Sequence, residues 1–220
     1  LLRAVLFDLD GTLVDSHRDI ANAVNDVLVA FGLEPHPAAT IRGMVGEGAT
    51  VLLARALGPH AEALIGPARE RFAAAYRARL TESTTLYPGI AAVLEALRGA
   101  GIPWGIATNK PAAFTGPLLE ALSFARLGMG AWASADEVDA KKPDPAVLRL
   151  ALERLGVRAA PAELAYVGDM ALDVRTARRL GAHALGVAWG YDPSGLAELD
   201  ARVASDPASL LELLLDPARP

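Results

Sequence analysis

The sequence predicts an α/β protein: a Rossmann-like parallel sheet with helices on both faces, interrupted by a small inserted α-helical segment. Three observations predict it. Short β-rich apolar runs recur, each ending in a small or polar residue; helix-like stretches follow them; and one interval, from about Asp15 to Leu86, shows no strand-like run.

The runs cover residues 4–9, 103–107, 131–134, 164–167 and 184–188. Between them, residues 90–98 repeat apolar side chains at helical spacing and close on Gly99 and Gly101, and residues 146–155 close on Gly156. Ligands of such sheets bind beyond the carboxyl ends of the strands, so the residues after each run are the ones to read for chemistry. The strandless interval is helical over residues 20–31, 50–57 and 61–80. Flanked by Val14-Asp15-Ser16 and Tyr87-Pro88-Gly89, it reads as a separate helical cap (15–86) joined by two chain crossings to a core made of 1–14 and 87–220. A terminal helix is expected over 210–215 and a frayed end over 216–220.

Of the 220 residues, 52% are apolar and 21% charged, the composition of a protein with a filled core, which excludes disorder. No cysteine is present, so disulfides, thiolate metal sites and a cysteine nucleophile are excluded. A net charge of −5 provides no global field for nucleic acid or an anionic membrane, and an anionic ligand must be met locally. Apolar runs stop far short of the ~20 residues that span a bilayer. Residues 1–7 are too short for a signal core, and the missing initiator Met is what a trimmed start would leave. These features suggest a soluble cytoplasmic protein.

The first run ends in Asp8-Leu9-Asp10-Gly11-Thr12, and strand alternation aims Asp8 and Asp10 at one site. Two close carboxylates repel and lose solvation, which makes sense if a hard cation such as Mg²⁺ sits with them; solvated turn acids are the other reading. After the fourth run comes Gly168-Asp169-Met170-Ala171-Leu172-Asp173. A helix beginning at Asp169 would put Asp173 on the same face, although an N-cap with a first-turn acid would look alike. The only lysines are Lys110, Lys141 and Lys142. Lys142 before Pro143 is a compact cation suited to a phosphoryl oxygen or to the charge of Asp8, whereas Lys141 reads as a surface turn. Thr108-Asn109 closes the second run and offers a hydroxyl and backbone N–H groups to an anion.

These four elements, each at the end of a different predicted strand, resemble the motifs of the haloacid dehalogenase-like hydrolase superfamily over the whole chain. Asp8 to Ser16 resembles its first motif, Thr108 its second, Lys142 its third, and Asp169 with Asp173 its fourth. Gly43-Met44-Val45-Gly46-Glu47-Gly48-Ala49, together with Ala107-Thr108-Asn109-Lys110-Pro111, is similar to the phosphoglycolate phosphatases within it. Met170 departs from the pattern, standing where the family usually has Thr or Ser. The resemblance implies Mg²⁺-dependent hydrolysis of a small phosphorylated metabolite. Asp8 is then the nucleophile, Asp10 the acid and base, and Asp8, the Asp10 main-chain carbonyl and Asp169 the metal ligands. It further implies Lys142, Thr108 and the Asn109 N–H on the phosphoryl oxygens, and Asp173 behind them. Gly46 is expected to approach the substrate and Arg42 to meet a substrate carboxylate.

A cap without lysine lacks the Schiff-base group a phosphonatase needs, and a dehalogenase would not need Asp10. Pyrophosphatase, other small-phosphate phosphatase and sugar phosphomutase readings stay open, as does a non-enzymatic binding module. A monomer or homodimer without nucleic-acid or membrane partners is expected.

Overall fold

The computed structural model describes residues 2–216. In chain order, β1 (Ala4–Phe7) leads to β2 (Val14–Asp15), then to α1 (His17–Ala30), α2 (Ala38–Arg42), α3 (Ala49–Leu57), α4 (Ala61–Ala78) and β3 (Thr85–Leu86). Strands and helices then alternate: α5 (Ile90–Gly99), β4 (Trp104–Thr108), α6 (Ala112–Ala121), β5 (Met129–Ser134), α7 (Ala146–Arg154), β6 (Leu164–Gly168), α8 (Ala171–Leu180), β7 (His183–Val187), α9 (Pro193–Ala197), β8 (Arg202–Ala204) and α10 (Pro207–Leu215).

Six strands form one parallel sheet in the order β5-β4-β1-β6-β7-β8. β1 lies between β4 and β6, with Phe7 opposite Ile106 on one side and Val167 on the other. The chain winds outward in both directions from β1, and the crevice past the carboxyl ends of β1, β4 and β6 is the topological switch point at which such sheets bind ligands. Both faces are covered. Val5 and Phe7 pack in the cluster that holds Ile90, Val93 and Leu97 of α5, while Ala4 and Leu6 meet Val147, Leu148 and Ala151 of α7 and Ala177 of α8. Burial on both faces is why the strands read as continuous apolar runs rather than as alternation.

Helices α1–α4 share the first of these clusters through Ile20, Val24, Leu53 and Phe72. Their two crossings pair as an antiparallel ribbon, Val14 with Leu86 and Asp15 with Thr85. Fully buried Asp19 in α1 pins the second crossing, accepting from the Ser83 and Thr84 amides and the Thr84 hydroxyl. No helix among the described residues is long and apolar enough to cross a membrane.

Several boundaries differ from expectation. The interval read as strandless has β2 and β3 at its two ends, and β8 adds a sixth strand. With two or three residues each, they are too short to show a period. Helix α8 starts at Ala171 rather than Asp169, and α10 starts at Pro207, capped by the Asp206 carboxylate, which accepts from Ser209 N–H at 2.8 Å. Of the expected frayed end, 217–220 lie outside the described residues.

Candidate active site

The exit of β1 is shaped by Gly11, whose φ of +84° is left-handed. A Cβ there would lie 2.4 Å from Asp169 Oδ2, so glycine lets the β1 turn press against the loop after β6. Asp169 is oriented by the Thr12 hydroxyl, 3.0 Å from Oδ1, and by the Tyr191 amide, 2.7 Å from Oδ2. Asp173 lies in the first turn of α8. It accepts the Met170 N–H at 3.1 Å and the Lys142 ammonium at 2.7 Å. Met170 has no side-chain hydroxyl for the return bond of a capping box.

Lys142 is buried at the centre, its Nζ 3.1 Å from Asp8 Oδ1, 2.7 Å from Asp173 Oδ1 and 3.0 Å from the Tyr166 hydroxyl. Tyr166 in turn donates to the Ala107 carbonyl at 2.7 Å, and the Lys142 amide donates to Asn109 Oδ1 at 3.2 Å. Oxygens of Asp8, Asp169 and Asp173 lie within 4.8 Å of one another, all three side chains buried. Burial, with the carboxylate of Asp173 close by, raises both Asp8 and Asp169; Lys142 partly offsets this for Asp8. Asp8 Oδ1, 3.1 Å from the Lys142 ammonium, is buried and accepts no hydrogen bond. Three buried carboxylates against one ammonium, offering only hard oxygen donors and one orphaned oxygen, fit a divalent cation such as Mg²⁺.

Asp10 turns elsewhere. Its oxygens each accept from Lys110 Nζ at 3.0 Å, and Oδ1 also from Ser16 Oγ at 2.5 Å. Lys110 is buried and donates to the Tyr76 hydroxyl of α4 at 2.6 Å. Burial opposes its charge, but Asp10 and Tyr76 outweigh burial and hold the ammonium above its ordinary range. Burial likewise pushes the Tyr76 phenol up to about 12, so it keeps its proton.

Asp8, Asp10, Thr108 and Lys110 line a cavity of about 40 Å³ closed by α1, α3 and α4 through Ile20, Leu52, Phe72 and Tyr76. Gly46 lies on its wall. A Cβ there would strike Met170 Sδ at 2.1 Å, and its carbonyl accepts from Asn109 Nδ2 at 3.1 Å. Asn109 therefore bridges the Gly46 turn and the Lys142 backbone. Arg42 lies outside the residues that line this cavity: its guanidinium donates to the Gly190 carbonyl at 2.6 Å and lies 5.3 Å over the Tyr191 ring.

Sequence reasoning missed Tyr76, Tyr166 and Tyr191, and left Lys110 and Ser16 without a role. Tyr191 follows the fifth run, so reading that strand end would have found it; Tyr76 has no local signal, being one aromatic on an apolar helix face.

The sheet with its switch-point carboxylates defines a hydrolase of phosphoryl groups rather than a nucleotide-binding Rossmann protein: the strand-end residues are acids and lysines, not a glycine-rich turn. Residues 2–181 match the model of the haloacid dehalogenase-like hydrolases. The chain belongs to that family, and it is a phosphatase. It is 39% identical over 229 residues to the phosphoglycolate phosphatase of Pseudomonas putida, covering 99% of this chain and 82% of that one. With the phosphoglycolate phosphatase of Escherichia coli K12 it shares 36% over 212 residues, covering 87% and 83%. The crystal structure of a predicted phosphoglycolate phosphatase from Haemophilus somnus superposes with a TM-score of 0.87 at 27% identity, covering 96% of this chain and 97% of that one.

Proposed function

We propose that this chain hydrolyses 2-phosphoglycolate with Mg²⁺, through an aspartyl-phosphate on Asp8. The observation that carries the reading is the Asp8 carboxylate: buried, beside Lys142, on the cavity wall, and with one oxygen free of hydrogen bonds. An Asp8 oxygen forms a bond to phosphorus as the ester P–O bond breaks, and the departing alkoxide takes a proton from Asp10. Water then bonds to phosphorus, gives a proton to Asp10, and the acyl P–O bond breaks to restore Asp8 and release phosphate. Asp8, the Asp10 main-chain carbonyl and Asp169 would hold Mg²⁺, which when bound neutralises phosphoryl and carboxylate charge. Lys142, Thr108 and the Asn109 N–H stabilise the phosphoryl oxygens, and Asp173 positions Lys142.

Residues 15–86 serve as the cap. The closeness of Ile20, Leu52, Phe72 and Tyr76 to Asp8 around a cavity of only about 40 Å³ supports a small substrate over a bulky one. The relatives' names support 2-phosphoglycolate in particular. Initial rates on a panel of small phosphates, with Mg²⁺ and with EDTA, test this. 2-Phosphoglycolate is expected to give the highest kcat/KM, EDTA to stop turnover, and Asp8→Asn to fall to background. Undiminished turnover in Asp8→Asn would remove the nucleophile assignment.

A further inference from the structure

Two buried lysines each hold one of the two aspartates that leave β1: Lys142 holds Asp8, and Lys110 holds Asp10. Lys110 has no part in the chemistry above. Its three N–H donors are all taken, by Asp10 Oδ1, Asp10 Oδ2 and the Tyr76 hydroxyl, which leaves none for a substrate oxygen. It therefore acts through Asp10.

We propose that Lys110 is a positioning residue for Asp10 and that Tyr76, brought by α4, completes it. Asp10 is then aimed at the attacking water only while α4 stands against the core.

The geometry fixes the carboxylate from two directions. Lys110 reaches it from the end of β4, and Ser16 Oγ from the first crossing, where the Ser16 amide is itself held by the Tyr191 hydroxyl at 2.9 Å. Charge-assisted hydrogen bonds are about twice as strong as neutral ones, enough to select one rotamer of a short side chain. Oδ1 accepts from both Ser16 and Lys110; Oδ2 accepts from Lys110 alone and keeps a lone pair. Asp10 and Lys110 line the same cavity as Asp8. Tyr76 is locked in place, its ring stacked on Phe72 with centroids 5.4 Å apart and edge-on to Phe114 at 5.1 Å. The ammonium lies 4.6 Å over the Tyr76 ring, so ring and hydroxyl both favour it there. Withdrawal of α4 would remove both and leave Lys110 free to swing off Asp10.

The step affected is the second displacement. The water oxygen bonds to phosphorus, its proton passes to Asp10 Oδ2, and the P–O bond to Asp8 breaks. With p-nitrophenyl phosphate the first displacement needs no acid: p-nitrophenolate leaves unprotonated from enzyme with Asp10 in its carboxylate form, and Asp10 then takes the water proton and passes it to solvent before the next turnover, so loss of positioning is felt in the second step alone.

The test is rapid acid quench of the full chain turning over p-nitrophenyl phosphate with Mg²⁺, reading kcat and, by intact mass, the fraction of enzyme phosphorylated. Lys110→Met is expected to lower kcat about 10–100-fold, the range of lost support behind a reacting group, while the phosphorylated fraction rises towards full occupancy. Tyr76→Phe, which keeps the packed ring and folds if Lys110→Met does not, is expected to move both readouts the same way but less. The double variant should match Lys110→Met alone, since Tyr76 acts through Lys110. A lower kcat without accumulation, an unchanged kcat, or additive losses in the double variant would each overturn the proposal. It rests on the phosphoenzyme reading. Failure of that reading is seen separately, as turnover that survives Asp8→Asn.

Discussion

The two lysine–carboxylate clusters are built alike and assembled differently. Around Lys142 every partner comes from the sheet and its immediate loops: Asp8 after β1, Tyr166 on β6, Asp173 at the start of α8. Around Lys110 the partners come from both sides of the molecule: Asp10 and Lys110 from the sheet ends, Ser16 from the first crossing, Tyr76 from α4. The Lys142 cluster is therefore as rigid as the sheet, whereas the Lys110 cluster is complete only when the helices between the crossings are in place. With Asp8 and Asp10 in the roles proposed above, this division would keep the nucleophile ready at all times and the proton carrier ready only with the cavity closed, which would limit stray hydrolysis.

The sharpest way to break that comparison is to remove each ammonium. In the metal-free protein, Lys142→Met strips the ammonium that pairs with Asp8 and Asp173 from a group of three buried carboxylates, and a loss of about 3–5 kcal/mol is expected in chemical denaturation. Lys110→Met is expected to cost clearly less, because the Asp10 side chain is 11% exposed and keeps Ser16. Equal losses would mean that the two clusters are equally built into the core.

Next in size is Asp10→Asn. With the acid gone, kcat/KM, which reads the first displacement alone, is expected to fall about 10²-fold or more for 2-phosphoglycolate and less for p-nitrophenyl phosphate, because only the alkoxide needs a proton to leave. The same factor for both substrates would count against acid catalysis by Asp10 and would reduce the second cluster to a structural ion pair.

How much of this was legible in the sequence follows the same division. Asp8, Asp169 and Asp173 each sit at a strand end or a helix start, where local pattern predicts position, whereas Lys142 lies in the loop between β5 and α7 and was marked by the proline after it. Lys110 was visible as one of three lysines, but its partners lie 34 and 100 residues away and nothing local announces them. Tyr76 is indistinguishable in sequence from any aromatic on a buried helix face. Arg42 shows the same limit: its backbone-carbonyl partner lies 148 residues on, and nothing local announces it. The start of α8 slipped onto Asp169 because Met170 holds the N-cap position without the polar side chain that marks one. Sheet order was legible only as a class, since the pairing of β1 with β4 and β6 is set by contacts between distant segments that no local pattern records.

The smallest effect tests the Lys142 cluster through protons. Burial, with Asp173 and Asp8 beside it, lifts Asp169 from its ordinary 3.8 to about 8, so between those values the folded metal-free protein holds a proton that the unfolded chain has lost. A native state that binds more protons becomes less stable as pH rises. Tm of the metal-free protein is therefore expected to decline from pH 5 to pH 8. A divalent cation displaces that proton, so saturating Mg²⁺ should raise Tm more at pH 8 than at pH 5. The Lys110 ammonium stays charged throughout this window. Thr12→Val, which removes a hydrogen bond from Asp169, should weaken Mg²⁺ binding about 10–100-fold and shift the Mg²⁺ response with it. A Tm that is flat in pH and indifferent to Mg²⁺ would mean that the three carboxylates do not act as one ion site.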